Sequence, residues 1–383
     1  MKIISIVGAR PNFMKIAPFI HAINDYNTME NVEHLEHILV HTGQHYDDRM
    51  SKVFFESLNI PDADIHLGIG SGSHAQQVAN TMVEFEKVLH SEKPDWVVVV
   101  GDVNATLACS VTAKKEKIKV CHIEAGLRSG DMDMPEEINR LVTDRLSDLL
   151  LTPDTLSTEN LLKEGTAENR IKFVGNIMID TLEANRIKAS GLEVKKILQD
   201  NLLDEKTILP ADLDSFSVIT MHRPSNVDEI EVLTPIINFL LEEVCAKEVL
   251  VWPIHPRAMK QLQAFDLWDK VVNEQNLVLL YPINYHEMLK LNMKAKTMLT
   301  DSGGLQEECC VLGTPCLTLR WNTERPITLQ EHGGASALVG NNVSRIREEY
   351  IKASTSTRAP KRPELWDGKT AQRCLEQIIA KNK

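Results

Sequence analysis

The chain reads as an α/β protein built from two Rossmann-like, doubly wound domains facing across a cleft. Three observations predict this. Short apolar runs rich in Val, Ile and Leu alternate with longer segments of helical period from one end to the other, the pattern of βα repeats. The runs are continuously apolar rather than alternating, as parallel strands covered on both faces must be. The chain has 383 residues, more than one ordinary core organises, so two domains are expected.

In the first series the expected strands are Ile3–Val7, His37–His41, Trp96–Val100, Val120–Ile123, Leu149–Thr152 and Ile171–Val174. Helical stretches such as Pro18–Asn24, Ala75–Leu89 and Glu137–Leu146 lie between them. A polar stretch near residues 185–215 separates a second series: Ser217–Thr220, Val249–Trp252, Val278–Tyr281, Thr297–Leu299 and Cys316–Leu319. The boundary is expected at the Gly175-Asn176 turn, giving an N-terminal domain over 1–175 and a C-terminal domain over 176–367. The tail 368–383 has a helical pattern and is expected to pack back on the first domain.

Composition limits the function. The chain is 43% hydrophobic and 25% charged with a net charge of −12, a soluble globular composition that argues against a general nucleic-acid binder. No apolar run approaches the roughly 18 residues of a membrane helix, and no secretory leader is visible, so the expected location is the cytoplasm. The seven cysteines are scattered without a CxxC pair, which points to free thiols rather than a disulfide frame or a zinc site.

In open parallel sheets, ligands sit beyond the carboxyl ends of the strands. The chemistry-bearing residues gather at those ends. Asp301-Ser302-Gly303-Gly304-Leu305-Gln306-Glu307-Glu308 reads as strand, tight turn and helix start, with Ser302 as N-cap and bare glycine N–H groups suited to an anion. The same turn is equally what any helix start requires. The first strand runs into Gly8-Ala-Arg10-Pro-Asn-Phe-Met-Lys15, two cations at a strand end. Asp102 follows Trp96–Val100, and His122, Glu124 and Arg128 surround the end of the next strand. An acid between an apolar strand and a glycine, as at Glu124, is harder to explain as surface than Asp102, which could cap a helix. Pro135-Glu136-Glu137-Ile-Asn-Arg140 opens a helix, and Glu136 is expected either to pair with Arg140 one turn on or to take part in chemistry. The pair Asp131-x-Asp133 is too short a pattern for a metal site. His222 and His255 end two successive strands, His255 alternatively capping a turn between prolines. Arg320 to Arg325 follows the last strand, where its guanidinium groups reach an anion or form a surface ion pair with Glu324. Gly68-Ile-Gly-Ser-Gly72 lacks the strand and acid of a dinucleotide fingerprint and reads as a loop.

Taken together, GARPNFMK, HTGQHYD, VVVVGDVNATLA, HIEAGLRSGDMDMPEEINR, TMHRPSN, IHPR, TDSGGLQEE, GTPCLTLR and TERP resemble the non-hydrolysing UDP-N-acetylglucosamine 2-epimerases, in family order over nearly the whole chain. The resemblance implies the two-domain fold of the B-type glycosyltransferases and inversion at C2 of a UDP-sugar, by elimination of UDP to 2-acetamidoglucal and re-addition. It implies Asp102, Glu124, Glu136 and His222 as catalytic residues, and Arg10, Lys15, Ser302, Gly303, Gly304, Glu308 and Arg325 as UDP-sugar contacts. No metal or cofactor is implied, and the partners are the UDP-sugar substrate and a second copy in a homodimer, with no nucleic acid or membrane. The chain departs from the pattern after His222, where Arg-Pro-Ser-Asn stands. It also departs at Asp47, beyond Gln44, where some members carry a second glutamine for an activating substrate molecule. Arginine is missing from Ile65–Gly70. A glycosyltransferase of the same fold, a binding protein without catalysis and an epimerase for a 2,3-diacetamido uronic acid nucleotide are the competing readings.

Overall fold

The computed structural model describes residues 1–8, 10–43, 62–210, 213 and 215–382, with the backbone alone at residues 10 and 11. The chain divides into two compact units, 1–181 with 363–383, and 182–362. Both are α/β, and each contains one all-parallel sheet.

The first unit opens with strand β1 (Lys2–Val7) and helix α1 (Arg10–Asn27). It continues with β2 (Glu36–His41), β3 (Ile65–His66), α2 (His74–Glu92), β4 (Trp96–Val100), α3 (Asn104–Lys115), β5 (Lys119–Ile123), α4 (Pro135–Leu146), β6 (Leu149–Thr152), α5 (Thr155–Lys163), β7 (Ile171–Phe173) and the first residues of α6 (Ile177–Ser190). The sheet order is β3-β2-β1-β4-β5-β6-β7. β1 lies between β2 and β4, with Ile3 opposite both His37 and Trp96. The reversal of strand order beside β1 is the topological switch point at which such sheets bind ligands. All five β4 residues are buried, which explains their unbroken apolar run: helices cover both faces.

In the second unit, α7 (Val194–Asp200) is followed by β8 (Phe216–Thr220), α8 (Pro224–Val227), α9 (Ile230–Phe239), β9 (Val249–Pro253), α10 (Pro256–Ala264), α11 (Trp268–Val272), β10 (Leu277–Leu280), α12 (Tyr285–Lys294), β11 (Met298–Thr300), α13 (Gly303–Leu312), β12 (Cys316–Thr318), β13 (Ser336–Leu338) and α14 (Val343–Thr355). Its sheet order is β10-β9-β8-β11-β12-β13, with the switch point at β8 and β11.

The last helix, α15 (Thr370–Asn382), belongs to the first unit and packs on α1. It is held there by buried polar contacts. The Asp180 carboxylate accepts the Thr370 and Ala371 N–H groups at 3.0 and 2.7 Å, capping the helix. Burial raises the Asp180 pKa, a rise these N–H groups limit. Trp366 Nε1 donates to the Pro153 carbonyl at 2.9 Å. Gly175, at φ +93°, admits no side chain, since a Cβ there would lie 2.2 Å from the Leu365 carbonyl oxygen.

Several expectations shift. Helix α1 begins at Arg10 and runs through Pro18, where the sequence suggested a start at Pro18. A proline ring inside a helix removes one hydrogen bond, and the apolar contacts of Phe13, Ile16, Phe19 and Ile20, all buried, outweigh it. Strands β3 and β13 were not foreseen, being two and three residues long. The division of the chain falls within α6, not at the Gly175 turn, because Asp180 and Thr181 are still tied into the first unit: Thr181 Oγ1 donates to the Met14 carbonyl. All seven cysteines are buried and free. Among the described residues, no helix is long and apolar enough to cross a membrane.

Candidate functional site

In the first unit the candidate residues converge on the carboxyl ends of β1, β4 and β5. Lys15, on the first turns of α1, forms a buried ion pair with Glu124, their side chains 7% and 1% exposed. The expected substrate contact is thus, in this structure, the partner of a candidate acid. Gly101, at φ +67°, brings the β4 end against this pair. A Cβ there would sit 3.0 Å from Lys15 Nζ and 3.5 Å from both Asn12 Nδ2 and Glu124 Oε2.

Glu124 itself has φ +76°. This left-handed conformation costs a residue with a side chain about 1–3 kcal/mol, and such strain persists where the surroundings over-determine it. Here both the Glu124 and Ala125 N–H groups donate to the Leu151 carbonyl at 3.0 Å. The turn that follows is pinned by Asp144 of α4. Asp144 accepts from Gly126 N at 3.0 Å and Arg128 Nη1 at 2.7 Å, and it pairs with His122 Nδ1 at 2.6 Å. The other His122 ring nitrogen lies 2.9 Å from the Gly101 carbonyl oxygen. Burial alone would raise the Asp144 pKa, but the His122 and Arg128 charges hold it below the usual carboxylate range. His122 and Asp144 therefore tie the turn carrying Asp102 to the turn carrying Glu124.

Asp102 keeps 23% of its side chain exposed and pairs with Arg140 Nε at 3.1 Å. Arg140, almost fully buried, also pairs with Glu137. The expected Glu136–Arg140 pair is therefore replaced by Glu137–Arg140. The reason lies in the 129–130 turn: Ser129 N, Ser129 Oγ and Gly130 N donate to Glu137 at 3.0, 2.9 and 3.0 Å. Burial opposes ionisation of Glu137, and these donors with Arg140 overcome it, lowering its pKa. Glu136 is half-buried at the second position of α4 and has no side-chain partner among the described residues, so it is not drawn into this cluster. Asp131 Oδ1 accepts the Asp133 N–H at 3.0 Å, closing a local turn. The Arg10 side chain, Gln44 and Asp47 lie outside the described residues.

In the second unit Asp301 is fully buried at the end of β11. It accepts the N–H groups of His222 and Arg223 at 2.9 and 2.8 Å and Asn226 Nδ2 at 3.1 Å, and pairs with His222 Nδ1 at 2.8 Å. Burial raises its pKa, and the His222 contact with the backbone donors overcomes this and lowers it. His222, 43% exposed, is thereby fixed in orientation at the switch point, its ring centroid 5.4 Å from that of His255. His255 caps α10 by accepting the Arg257 N–H at 3.1 Å, the plainer of its two readings.

Ser302 occupies the N-cap of α13 without a side-chain bond to the first turn, so its hydroxyl does not cap the helix as expected. Gly303 is required by contact: a Cβ would lie 2.7 Å from Arg325 Nη1 and 3.2 Å from Glu324 Oε1. Glu324 and Arg325 are 5% and 7% exposed, so they are not a surface pair. A buried chain runs from Arg320 to Glu324 (2.6 Å), on to Arg325, and from Arg325 Nε to Glu307 (2.7 Å). Glu308, one helical turn behind the glycines, is buried with Oε2 lacking a hydrogen bond among the described residues. Burial pushes its pKa up to about 7; the nearby Tyr285 hydroxyl opposes the rise, the Glu307 charge adds to it, and Asn292 opposes it.

The sequence reading missed Asp144, Asp301 and the role of Glu137. The only signal for Asp301 was its place between an apolar strand and Ser-Gly-Gly. Asp144 gave none, since an acid late in a helix is unremarkable by pattern. Among the described residues no group of three or more His, Cys, Asp or Glu is placed to hold a metal.

The chain belongs to the UDP-N-acetylglucosamine 2-epimerase family, whose model matches residues 27–379. A UDP-N-acetylglucosamine 2-epimerase of Methanocaldococcus jannaschii is 42% identical over 355 residues, 92% of this chain and 91% of that protein. The crystal structure of a UDP-GlcNAc 2-epimerase of that organism in complex with UDP-GlcNAc and UDP superimposes with TM-score 0.87 at 39% identity, covering 99% of this chain and 100% of that one. A UDP-2,3-diacetamido-2,3-dideoxy-D-glucuronate 2-epimerase of Pseudomonas aeruginosa is 36% identical over 388 residues, the full length of both.

Proposed function

We propose that the protein interconverts UDP-N-acetylglucosamine and UDP-N-acetylmannosamine. A carboxylate takes the proton from C2, the electron pair of the C2–H bond forms the C1=C2 double bond, and the C1–O bond breaks to release UDP. The bound 2-acetamidoglucal then accepts UDP again at C1 and a proton at C2 on the opposite face. Proton transfer on two faces needs acid/base groups on both, and Asp102, Glu124 and Glu136 are the groups proposed. The developing charge on the diphosphate needs preorganised donors. Arg10, His222, Arg325 and the helix start at Ser302, Gly303 and Gly304 are proposed for that role, Glu308 for the ribose hydroxyls, and Lys15 for orienting Glu124 through their buried ion pair.

The observation that carries the reading is the buried Lys15–Glu124 pair on a left-handed strand end against the Asp102 turn. A transferase or a binding protein has no use for a strained, paired acid there. The reading includes a cytoplasmic homodimer that works without a cofactor and supplies surface polysaccharide precursors. The full-length relative that is a UDP-2,3-diacetamido-2,3-dideoxy-D-glucuronate 2-epimerase supplies the second reading, the same C2 chemistry on that nucleotide. Incubation of the purified protein with each UDP-sugar, followed by phosphorus and proton NMR, tests both. The expected result is UDP-N-acetylmannosamine from UDP-GlcNAc. Turnover of the diacetamido glucuronate alone favours the second reading, and turnover of neither refutes both.

A further inference from the structure

The first two turns of α4 hold more than a helix start requires. Asn139 Nδ2 donates to the Asp102 carbonyl at 2.8 Å and lies 3.4 Å from Asn104 Oδ1, gripping the β4–α3 turn from both sides. One residue on, Arg140 places Nε on the Asp102 carboxylate at 3.1 Å and Nη1 on Glu137. Glu137 in turn is fixed by three donors of the 129–130 turn. An arginine 2% exposed carries a large desolvation cost unless both its ends are matched, and here they are. A planar fork with donors in fixed directions also sets the rotamer of the carboxylate it binds, which an ammonium cannot do.

We propose that Arg140 is a positioning residue for the proton transfer at C2. Held by Glu137, its guanidinium fixes the Asp102 carboxylate in its reactive direction, and Glu137 is a structural acid rather than a chemical one. This rests on the epimerase reading. The neighbouring Glu136 stays free of the frame and keeps its carboxylate for the substrate. The frame also joins the Asp102 turn to the first turn of α4, which carries Glu136.

The test compares wild type, Arg140→Met and Arg140→Lys for kcat and KM on UDP-GlcNAc, for UDP affinity by calorimetry and for melting temperature. Met keeps the buried stem and loses the charge. A misplacement of a reacting group by about 1 Å costs on the order of 100-fold in rate. The expected result is a fall of about that size in kcat for Arg140→Met, with KM and UDP affinity within about threefold of wild type, and a smaller fall for Arg140→Lys. If Arg140 only fills space, Met and Lys give equal kcat, and that result overturns the proposal, as does wild-type kcat in either variant. Should Arg140→Met fail to fold, Glu137→Gln carries the test. It releases Arg140 while leaving Asp102 its partner, and it is expected to lower kcat about tenfold at unchanged UDP affinity; unchanged kcat overturns the proposal. A wild type inactive on UDP-GlcNAc refutes the epimerase reading itself, and the Arg140 role with it.

Discussion

Replacing Glu308 by Gln offers a measurable consequence of burying an acid behind the glycine-rich turn. In the folded protein the Glu308 pKa stands at about 7, against an ordinary value of 4.5. The carboxyl is therefore favoured in its neutral form by folding. Stability from this group is fully present below pH 4.5, declines as pH rises, and is lost once pH passes about 7. One pKa unit corresponds to about 1.4 kcal/mol, so the rise to 7 amounts to about 3 kcal/mol between the two limits. Gln has nearly the same shape and no charge to titrate. The variant's stability relative to wild type should thus grow with pH, most of the gain falling between pH 5 and pH 8. Any constant cost of the new amide group cancels in this comparison. Denaturant unfolding of the ligand-free proteins at pH 5, 6, 7 and 8 measures it. A difference between variant and wild type that stays flat across this range would refute the reasoning.

Three further outcomes are expected. Gly303→Ala places a methyl 2.7 Å from Arg325 Nη1, whose guanidinium is pinned by Glu307 and Glu324 and cannot retreat. UDP affinity should fall about tenfold, or about 1.4 kcal/mol, read by calorimetry. Glu124→Gln removes the acid but leaves the second unit untouched, so turnover should disappear while UDP still binds; loss of UDP binding would show the roles misassigned. Asp301→Asn trades a charge that accepts three N–H donors and orients His222 for an amide, at a cost of about 3 kcal/mol, seen as a lowered melting temperature.

Much of the fold was legible because parallel strands buried on both faces leave unbroken apolar runs, of which Trp96–Val100 is the plainest. Elements escaped where they are too short to show a period, as at Ile65–His66 and Ser336–Leu338, or where a local signal competed with packing. Pro18 looked like a helix start, yet α1 had begun eight residues earlier, driven by a buried face. The site was legible in part. Glu124 stood out as an acid between an apolar strand and a glycine. Its partner Lys15 is 109 residues away, a distance no pattern spans. Its positive φ follows from the Leu151 carbonyl on a neighbouring strand, equally out of view. At the start of α4 both Glu136 and Glu137 had helical spacing to Arg140, and the choice was made by N–H groups of the 129–130 turn. For Glu324 and Arg325 the sequence left an anion contact and a surface ion pair both open, and only their burial against Gly303 and Glu307 removes the surface pair.

The central claim, reversible breaking of the C2–H bond of a UDP-sugar, is tested most directly by incubating the protein with UDP-GlcNAc in D2O and following the C2 proton by NMR. The account predicts loss of that signal as deuterium enters C2, together with the appearance of UDP-N-acetylmannosamine deuterated at the same carbon. A new sugar nucleotide formed without deuterium at C2, or an intact C2 proton after long incubation, would contradict it.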